Sequence, residues 1–130
     1  MKVLIVEDDL ASRKFLSRFL SPYGECDITI NGMEALEAFM LAHDEGKPYD
    51  LICLDIMMPN LDGEKTLKMI RNIEKQKRIK DAKRVKIIMT TALNDKDRVL
   101  KTFEAGCEAY AAKPINTEKL TEVLKKLDLI

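Results

Sequence analysis

Leu51-Ile52-Cys53-Leu54-Asp55 is a run of four apolar residues that ends in an acid. Because no polar residue interrupts the apolar part, the run is typical of a parallel strand that helices cover on both faces. A strand with one wet face would instead alternate between apolar and polar residues. The stretch therefore predicts the middle of a parallel sheet, with the Asp55 carboxylate at its carboxyl end.

Four other short runs rich in branched or small apolar residues share the chain with this one. They are Val3–Val6, Ile28–Ile30, Val85–Met89 and Ala109–Ala112. The segments between the runs have helical periodicity, so strands and helices alternate along the chain. This alternation predicts an α/β fold of the flavodoxin-like kind, a doubly wound five-stranded parallel sheet with five helices. The order 2-1-3-4-5 is a common choice for five strands, and the sequence does not dictate it.

Apolar residues at helical spacing predict which face of each helix is buried. In chain order they are Phe15, Leu16, Phe19 and Leu20; Ala35, Leu36, Phe39 and Met40; Leu67, Ile70 and Ile73; Val99, Leu100 and Phe103; and Leu120, Val123, Leu124 and Leu127. Asp62, Asn94 and Asn116 precede the last three helices, and we expect them to act as N-caps.

Length and composition favour one domain over residues 1–130, with a core that needs no disulfide. Lys plus Arg and Asp plus Glu both count 22, so no global field would hold nucleic acid or an anionic membrane. The three cysteines lack metal-ligand spacing, which predicts a reduced, cytoplasmic environment. The amino terminus resembles neither a signal peptide nor a membrane span.

The segment from Arg71 to Lys86 is locally basic, with eight Lys and Arg residues against Glu74 and Asp81. No aromatic residues interleave the segment to stack on bases, so direct nucleic-acid binding is not expected. We interpret it as a solvated face, with docking to a protein as the alternative.

Ligands of open α/β sheets bind beyond the carboxyl ends of the strands, and the residues there are unusual in this chain. Glu7-Asp8-Asp9 follows the first predicted strand, Asp55 the third, Thr90-Thr91 the fourth and Lys113-Pro114 the fifth. In the order 2-1-3-4-5 the first and third strands are neighbours, so Glu7, Asp8 and Asp55 would crowd together. Like charges at close range are unfavourable unless a cation intervenes. Mg²⁺ suits such a site because it prefers carboxylates, waters and phosphate oxygens.

A carboxylate beside a bound metal ion can attack phosphorus and form an aspartyl phosphate, which gives Asp55 a chemical role. Lys113 would bring a positive charge to a phosphoryl oxygen, and the Thr91 hydroxyl would donate a hydrogen bond to it. The candidate catalytic residues are therefore Asp55, Thr91 and Lys113.

Four motifs in this order resemble the receiver domain of two-component response regulators, over Lys2 to about Leu127. They are Val6-Glu7-Asp8, the stretch Leu54-Asp55-Ile56-Met57-Met58-Pro59-Asn60-Leu61-Asp62-Gly63, Thr90-Thr91-Ala92, and Tyr110-Ala111-Ala112-Lys113-Pro114. Each match alone is weak, but their joint order and their positions at strand ends are specific.

The resemblance implies a magnesium site and a phosphoacceptor. Asp55 would accept the phosphoryl group, Asp8 would bind Mg²⁺ directly, Glu7 would bind it through water, and Met57 would offer its backbone carbonyl. The Glu-Asp pair departs from the more usual Asp-Asp pair, a variation that the family accepts.

The resemblance also implies a switch and its partners. Thr91 and Tyr110 would move together after phosphorylation, and the Lys113-Pro114 peptide bond would be cis. The phosphoryl donor would be a sensor histidine kinase or a histidine phosphotransfer protein. A downstream protein would dock on the face of the fourth helix, fifth strand and fifth helix. A second copy of the chain, in a phosphorylation-dependent homodimer, is a further candidate partner.

Hydrolysis of the phosphoaspartate is predicted to be slow. Met57 and Leu93 stand two residues beyond Asp55 and Thr91, and neither can orient a water with an amide or carboxylate. The chain would thus catalyse its own phosphorylation and little else.

Three other functions compete with this interpretation. A phosphatase with an aspartyl nucleophile would require a general acid at the position that Met57 occupies. A flavin carrier would need a phosphate loop where Glu7-Asp8-Asp9 would repel phosphate. A phosphorylation-independent binding module on the same fold is the remaining alternative, although Asp55, Asp8 and Lys113 are all present.

Overall fold

The computed structural model describes residues 1–58, 61–92 and 96–130. It contains one parallel sheet in the order β2-β1-β3-β4-β5, as predicted. The strands are β1 (Lys2–Val6), β2 (Glu25–Thr29), β3 (Leu51–Asp55), β4 (Lys86–Thr91) and β5 (Ala109–Ala112). All five residues of β3 are buried, which confirms the central strand.

Five helices alternate with the strands. They are α1 (Leu10–Leu20), α2 (Gly32–Asp44), α3 (Gly63–Gln76), α4 (Lys96–Glu104) and α5 (Thr117–Lys126). Asp62 and Asn116 cap α3 and α5 as predicted, through hydrogen bonds to the backbone N–H groups of Lys65 and Lys119. Asn94, Leu93, Pro59 and Asn60 lie outside the described residues. Within the described ranges, none of the helices combines the length and hydropathy that a membrane span requires.

The core has two parts, one on each face of the sheet. Phe39, Leu67 and Ile70 from α2 and α3 cover one face, and Leu16 and Leu120 from α1 and α5 cover the other. Because helices enclose both faces, the carboxyl edge of the sheet stays open to solvent and can carry a site.

Several predicted inward residues are exposed. Met40 of α2 is 46% exposed and Phe15 of α1 is 37% exposed, so the buried stripes of these helices are narrower than expected. In α4, Leu100 and Phe103 are exposed and the buried residue is Thr102. Thr102 fits the interior because its hydroxyl donates to the Val99 carbonyl oxygen at 2.6 Å.

Strand β2 begins earlier than the predicted run Ile28–Ile30. Backbone pairing with β1 sets its register, from Glu25 opposite Lys2 to Thr29 opposite Val6. Ile28 and Ile30 are both 46% exposed, so on this edge strand apolar side chains do not mark the limits of the pairing.

Arg71 does not belong to a solvated basic face. Its guanidinium contacts Glu74 at 2.6 Å and Glu108 at 2.8 Å, and donates to the carbonyl oxygens of Val85 and Gly106 at 2.9 Å each. Glu74 is fully buried. The prediction of a solvated face is therefore wrong for Arg71, which joins α3 to β4 and to the turn before β5.

Candidate functional site

Parallel pairing brings the ends of four strands together at one edge. Val6 lies opposite Leu54, Asp55 opposite Thr90, and Thr91 opposite Ala112. The residues that follow these positions are therefore neighbours in space, as predicted from the order of the strands.

Three carboxylates converge at this edge. One oxygen from each of Glu7, Asp8 and Asp55 lies within 4.8 Å of the others. Glu7 is fully buried and Asp55 is 4% exposed, whereas Asp8 is exposed. This all-oxygen donor set, open to solvent on the Asp8 side, fits a hard divalent cation such as Mg²⁺ and offers neither sulfur nor imidazole.

Lys113 supplies the positive charge among these acids. Its ammonium lies 2.7 Å from Glu7 Oε2 and 3.3 Å from Asp55 Oδ2. Burial disfavours the charged ammonium, but the hydrogen bond to Glu7 and the charge of Asp55 outweigh it and raise the pKa of Lys113. Burial also raises the pKa of Glu7, although Lys113 opposes that change. Lys113 and the two buried acids thus form one cluster of interacting charges.

The backbone orients the Asp55 carboxylate. The N–H of Met57 donates to Asp55 Oδ1 at 3.1 Å, while Oδ2 faces Lys113. The Met57 side chain is 50% exposed and receives a contact of 3.1 Å from the guanidinium Nη1 of Arg98. Arg98 was not identifiable from the sequence, since its position depends on how α4 packs against the residues after β3.

A close approach of backbone brings the start of α3 against the end of β3. The Gly63 N–H donates to the Ile56 carbonyl oxygen at 2.9 Å, and a Cβ at Gly63 would overlap with the carbonyl oxygen of Asp55. Glycine is therefore required where the start of α3 meets the end of β3.

Two residues hold the acidic loop between β1 and α1. Asp9 caps α1, because its carboxylate accepts from the Ser12 N–H at 2.9 Å. The Arg13 guanidinium donates to the carbonyl oxygens of Glu7 and Asp8 at 3.3 and 3.0 Å. Arg13 was not identified from the sequence, although its position in the first turns of α1 after three acids was a usable signal.

The predicted switch residues occupy different environments. Thr91 is buried at the end of β4, and its carbonyl oxygen accepts from the Lys113 N–H at 2.7 Å. Tyr110 of β5 is 46% exposed, and its ring meets Phe103 of α4 edge to face, with centroids 6.0 Å apart. The Lys113-Pro114 bond is cis, as the resemblance implied.

Comparisons with known proteins agree on one family. The family model described as the response regulator receiver domain matches residues 3–125. Hybrid signal transduction histidine kinase L of Dictyostelium discoideum is 38% identical over 96% of this chain and 7% of its own length. The probable transcriptional regulator ycf29 of Porphyra purpurea is 36% identical over 96% of this chain and 55% of its own length. The chain thus spans about half of a curated regulator and a small part of a hybrid kinase.

Solved structures give the same answer. The receiver domain of the histidine kinase CKI1 from Arabidopsis thaliana, complexed with Mg²⁺ and BeF₃⁻, has a TM-score of 0.82 at 27% identity and covers 98% of this chain and 89% of its own. A CheY-like receiver domain protein from Methanospirillum hungatei has a TM-score of 0.79 at 27% identity, over 98% of this chain and 93% of its own.

Fold, strand-end acids and relatives therefore lead to one assignment. The chain belongs to the response regulator receiver domain family, the phosphorylation-based signalling domain of two-component systems.

Proposed function

We propose that Asp55 accepts a phosphoryl group and that residues 1–130 act as a single receiver domain. The observation that carries this proposal is the buried Asp55 carboxylate, held by the Met57 N–H on one oxygen and by Lys113 on the other. A carboxylate with one oxygen fixed by the backbone presents the other toward an incoming phosphorus atom.

The donor we propose is the phosphohistidine of a sensor kinase or of a phosphotransfer protein. An Asp55 oxygen forms the new P–O bond while the P–N bond breaks, and the electron pair of that bond stays on the imidazole. The Lys113 ammonium moves from the carboxylates toward a phosphoryl oxygen and neutralises its charge. The Thr91 hydroxyl donates to a second phosphoryl oxygen.

The same edge would hold the metal ion that this transfer requires. Asp8 and Asp55 would bind Mg²⁺ directly, Glu7 through water, and Met57 through its carbonyl oxygen. When bound, the ion supplies positive charge beside the phosphoryl oxygens. The three clustered carboxylates support this assignment, since within the described ranges the two buried acids share one cation, Lys113.

The proposed output is a change on the face formed by α4, β5 and α5. Movement of Thr91 toward the phosphoryl group would shift the loop before α4, and the Tyr110 ring would leave its exposed position against Phe103. Leu100 is 57% exposed on α4, so this face already offers apolar surface to a downstream protein or a second copy.

The test is phosphorylation by acetyl phosphate with Mg²⁺, followed by intact mass. We expect one hydroxylamine-labile phosphoryl adduct on the wild type and none on Asp55→Asn. Asp9→Asn is the matched control, since it removes a neighbouring acid and leaves a good cap. We expect the wild-type adduct to decay slowly and to decay several-fold faster in Met57→Asn, because an amide there can orient water. An equal adduct on Asp55→Asn would refute the acceptor assignment.

The alternative, a phosphorylation-independent binding module, predicts that no adduct forms on the wild type. Such a module has no use for a lysine paired with two buried carboxylates at the sheet edge, and the alternative is therefore not favoured.

A further inference from the structure

A wide cleft lies at the edge of the sheet opposite the phosphoacceptor. Its volume is about 870 Å³, and it is bounded by the residues that precede β3 and β4, the segment after α3, and the end of α5. Its cationic lining residues are Lys77, Arg78, Lys80, Lys83, Arg84 and Lys86, and its acidic ones are Asp50 and Asp128.

Charge is therefore segregated within a chain of zero net charge. The three clustered carboxylates lie at the carboxyl edge of the sheet, and the six cations of the cleft lie at the amino edge. Few of these bases are neutralised. Among the described residues, only Lys77 and Arg84 of the six cations form ion pairs, at 3.9 Å to Asp44 and 3.4 Å to Asp81. The cleft consequently presents an excess of positive charge that an anionic ligand would neutralise.

Two backbone conformations also point to this cleft. In the described part of the chain, the non-glycine residues with positive φ are Arg78, at 56°, and Asp128, at 57°. Both line the cleft, directly after the ends of α3 and α5, where glycine is the favoured residue. The left-handed conformation is unfavourable for arginine, whereas aspartate tolerates it, so it is the Arg78 guanidinium that lies at the cleft against the backbone preference.

The cleft also has apolar lining residues. They are Pro48, Ile79, Ala82, Leu127 and Leu129. The aromatic ring in the described lining is that of His43, in the last turn of α2, which packs edge-on against Phe39 with centroids 4.7 Å apart. Apolar and basic side chains in one cleft suit a ligand whose carboxylates are spaced between apolar side chains, and the described lining offers no free aromatic face on which bases could stack.

We propose that this cleft is a docking site for an acidic protein segment with apolar anchors. Glu and Asp side chains of the segment pair with Arg78, Lys80 and Lys83, and its apolar side chains contact the apolar lining residues. Asp50 and Asp128 exclude segments whose acids fall in the wrong positions, because like charges repel. The site lies at the edge opposite Asp55, so docking does not depend on phosphorylation.

The test is fluorescence anisotropy with the full chain and a labelled 12-residue peptide that alternates Glu and Leu. We expect binding in dilute salt that weakens as salt is raised. Arg78→Gly is the sharpest variant, because glycine suits the backbone there and should not lower Tm, while the guanidinium is lost. We expect Arg78→Gly to weaken binding several-fold and Lys80→Glu/Lys83→Glu to weaken it at least tenfold.

Controls separate this site from bulk charge and from the phosphoacceptor. Lys14→Glu/Lys119→Glu makes the same change in net charge as Lys80→Glu/Lys83→Glu, but on exposed residues outside the cleft, and it should bind the peptide as the wild type does. Asp55→Asn should also bind the peptide as the wild type does. Equal losses in the two double variants, or an absence of binding to the wild type, would overturn the proposal. Tighter binding of a single-stranded oligonucleotide of equal charge would overturn it in favour of nucleic acid.

Discussion

At the scale of single residues, Lys113 is expected to stabilise the fold through the two acids beside it. Lys113→Met leaves Glu7 and Asp55 buried beside each other with no cation. We expect a loss of about 2 kcal/mol in unfolding free energy, below the full cost of breaking a buried pair because Glu7 can take up a proton. Urea unfolding in EDTA measures it.

The matched control for this variant is Lys119→Met, an exposed lysine at which a change within about 0.5 kcal/mol is expected. Saturating Mg²⁺ should reduce the difference in unfolding free energy between Lys113→Met and the wild type, since the ion would replace the missing positive charge. Equal urea midpoints for the two variants in EDTA would contradict the coupling of Lys113 to the acids.

Local chemistry made many residues of this chain predictable. Asp62 and Asn116 were identified as caps because a short side-chain acceptor before an apolar periodic run satisfies free helix N–H groups. The location of Asp55 followed from its place after an all-apolar strand. Arg98 was not predictable, because its contact with Met57 depends on the packing of α4 and on no local pattern.

At the scale of elements, Arg71 is the link between α3, the start of β4 and the turn after α4. Arg71→Ala leaves Glu74 fully buried without its cation, and the Glu74 carboxylate also accepts from the Val85 N–H at 2.8 Å. We expect a loss of about 3–5 kcal/mol in unfolding free energy. Chemical denaturation measures this loss of unfolding free energy, and the control is Lys75→Ala, which changes an exposed lysine of the same helix.

Arg71→Lys should recover only part of this loss. The three guanidinium nitrogens donate hydrogen bonds to different partners, namely Gly106, Glu74 and Glu108. A single ammonium group cannot reproduce this geometry. If Arg71→Ala and Lys75→Ala cost the same, Arg71 is not the link between these elements.

The sequence predicted where the helices lie better than it predicted which of their residues are buried. Periodicity located five helices, but it placed Leu100 and Phe103 of α4 inside. A helix at the edge of a sheet can carry two apolar stripes, one against the core and one toward a partner, and periodicity does not distinguish them. The buried Thr102 was missed because its hydroxyl is satisfied within the helix itself.

At the scale of the whole molecule, strand order could be proposed but not deduced. Right-handed crossovers restrict the alternatives, and 2-1-3-4-5 was chosen among them because doubly wound sheets of five strands commonly adopt it. The composition of the sequence revealed the basic segment from Arg71 to Lys86, but it did not predict the cleft at the amino edge of the sheet. It forms only when the end of α5 meets the segment after α3, which are 40 or more positions apart.

Metal binding should stabilise the whole domain, because a ligand that binds only the folded state adds to its free energy of unfolding. At a Mg²⁺ concentration about ten times the dissociation constant, the gain is about 1.4 kcal/mol, which raises Tm by about 5 °C for a chain of this size.

Asp8→Asn should abolish the increase in Tm. Asp9→Asn should retain it, since Asp9 caps α1 outside the carboxylate cluster and asparagine caps equally well. Thermal unfolding in MgCl₂ and in NaCl of equal ionic strength measures the increment. An increment that survives in Asp8→Asn, or that disappears in Asp9→Asn, would show that the ion binds elsewhere than among Glu7, Asp8 and Asp55.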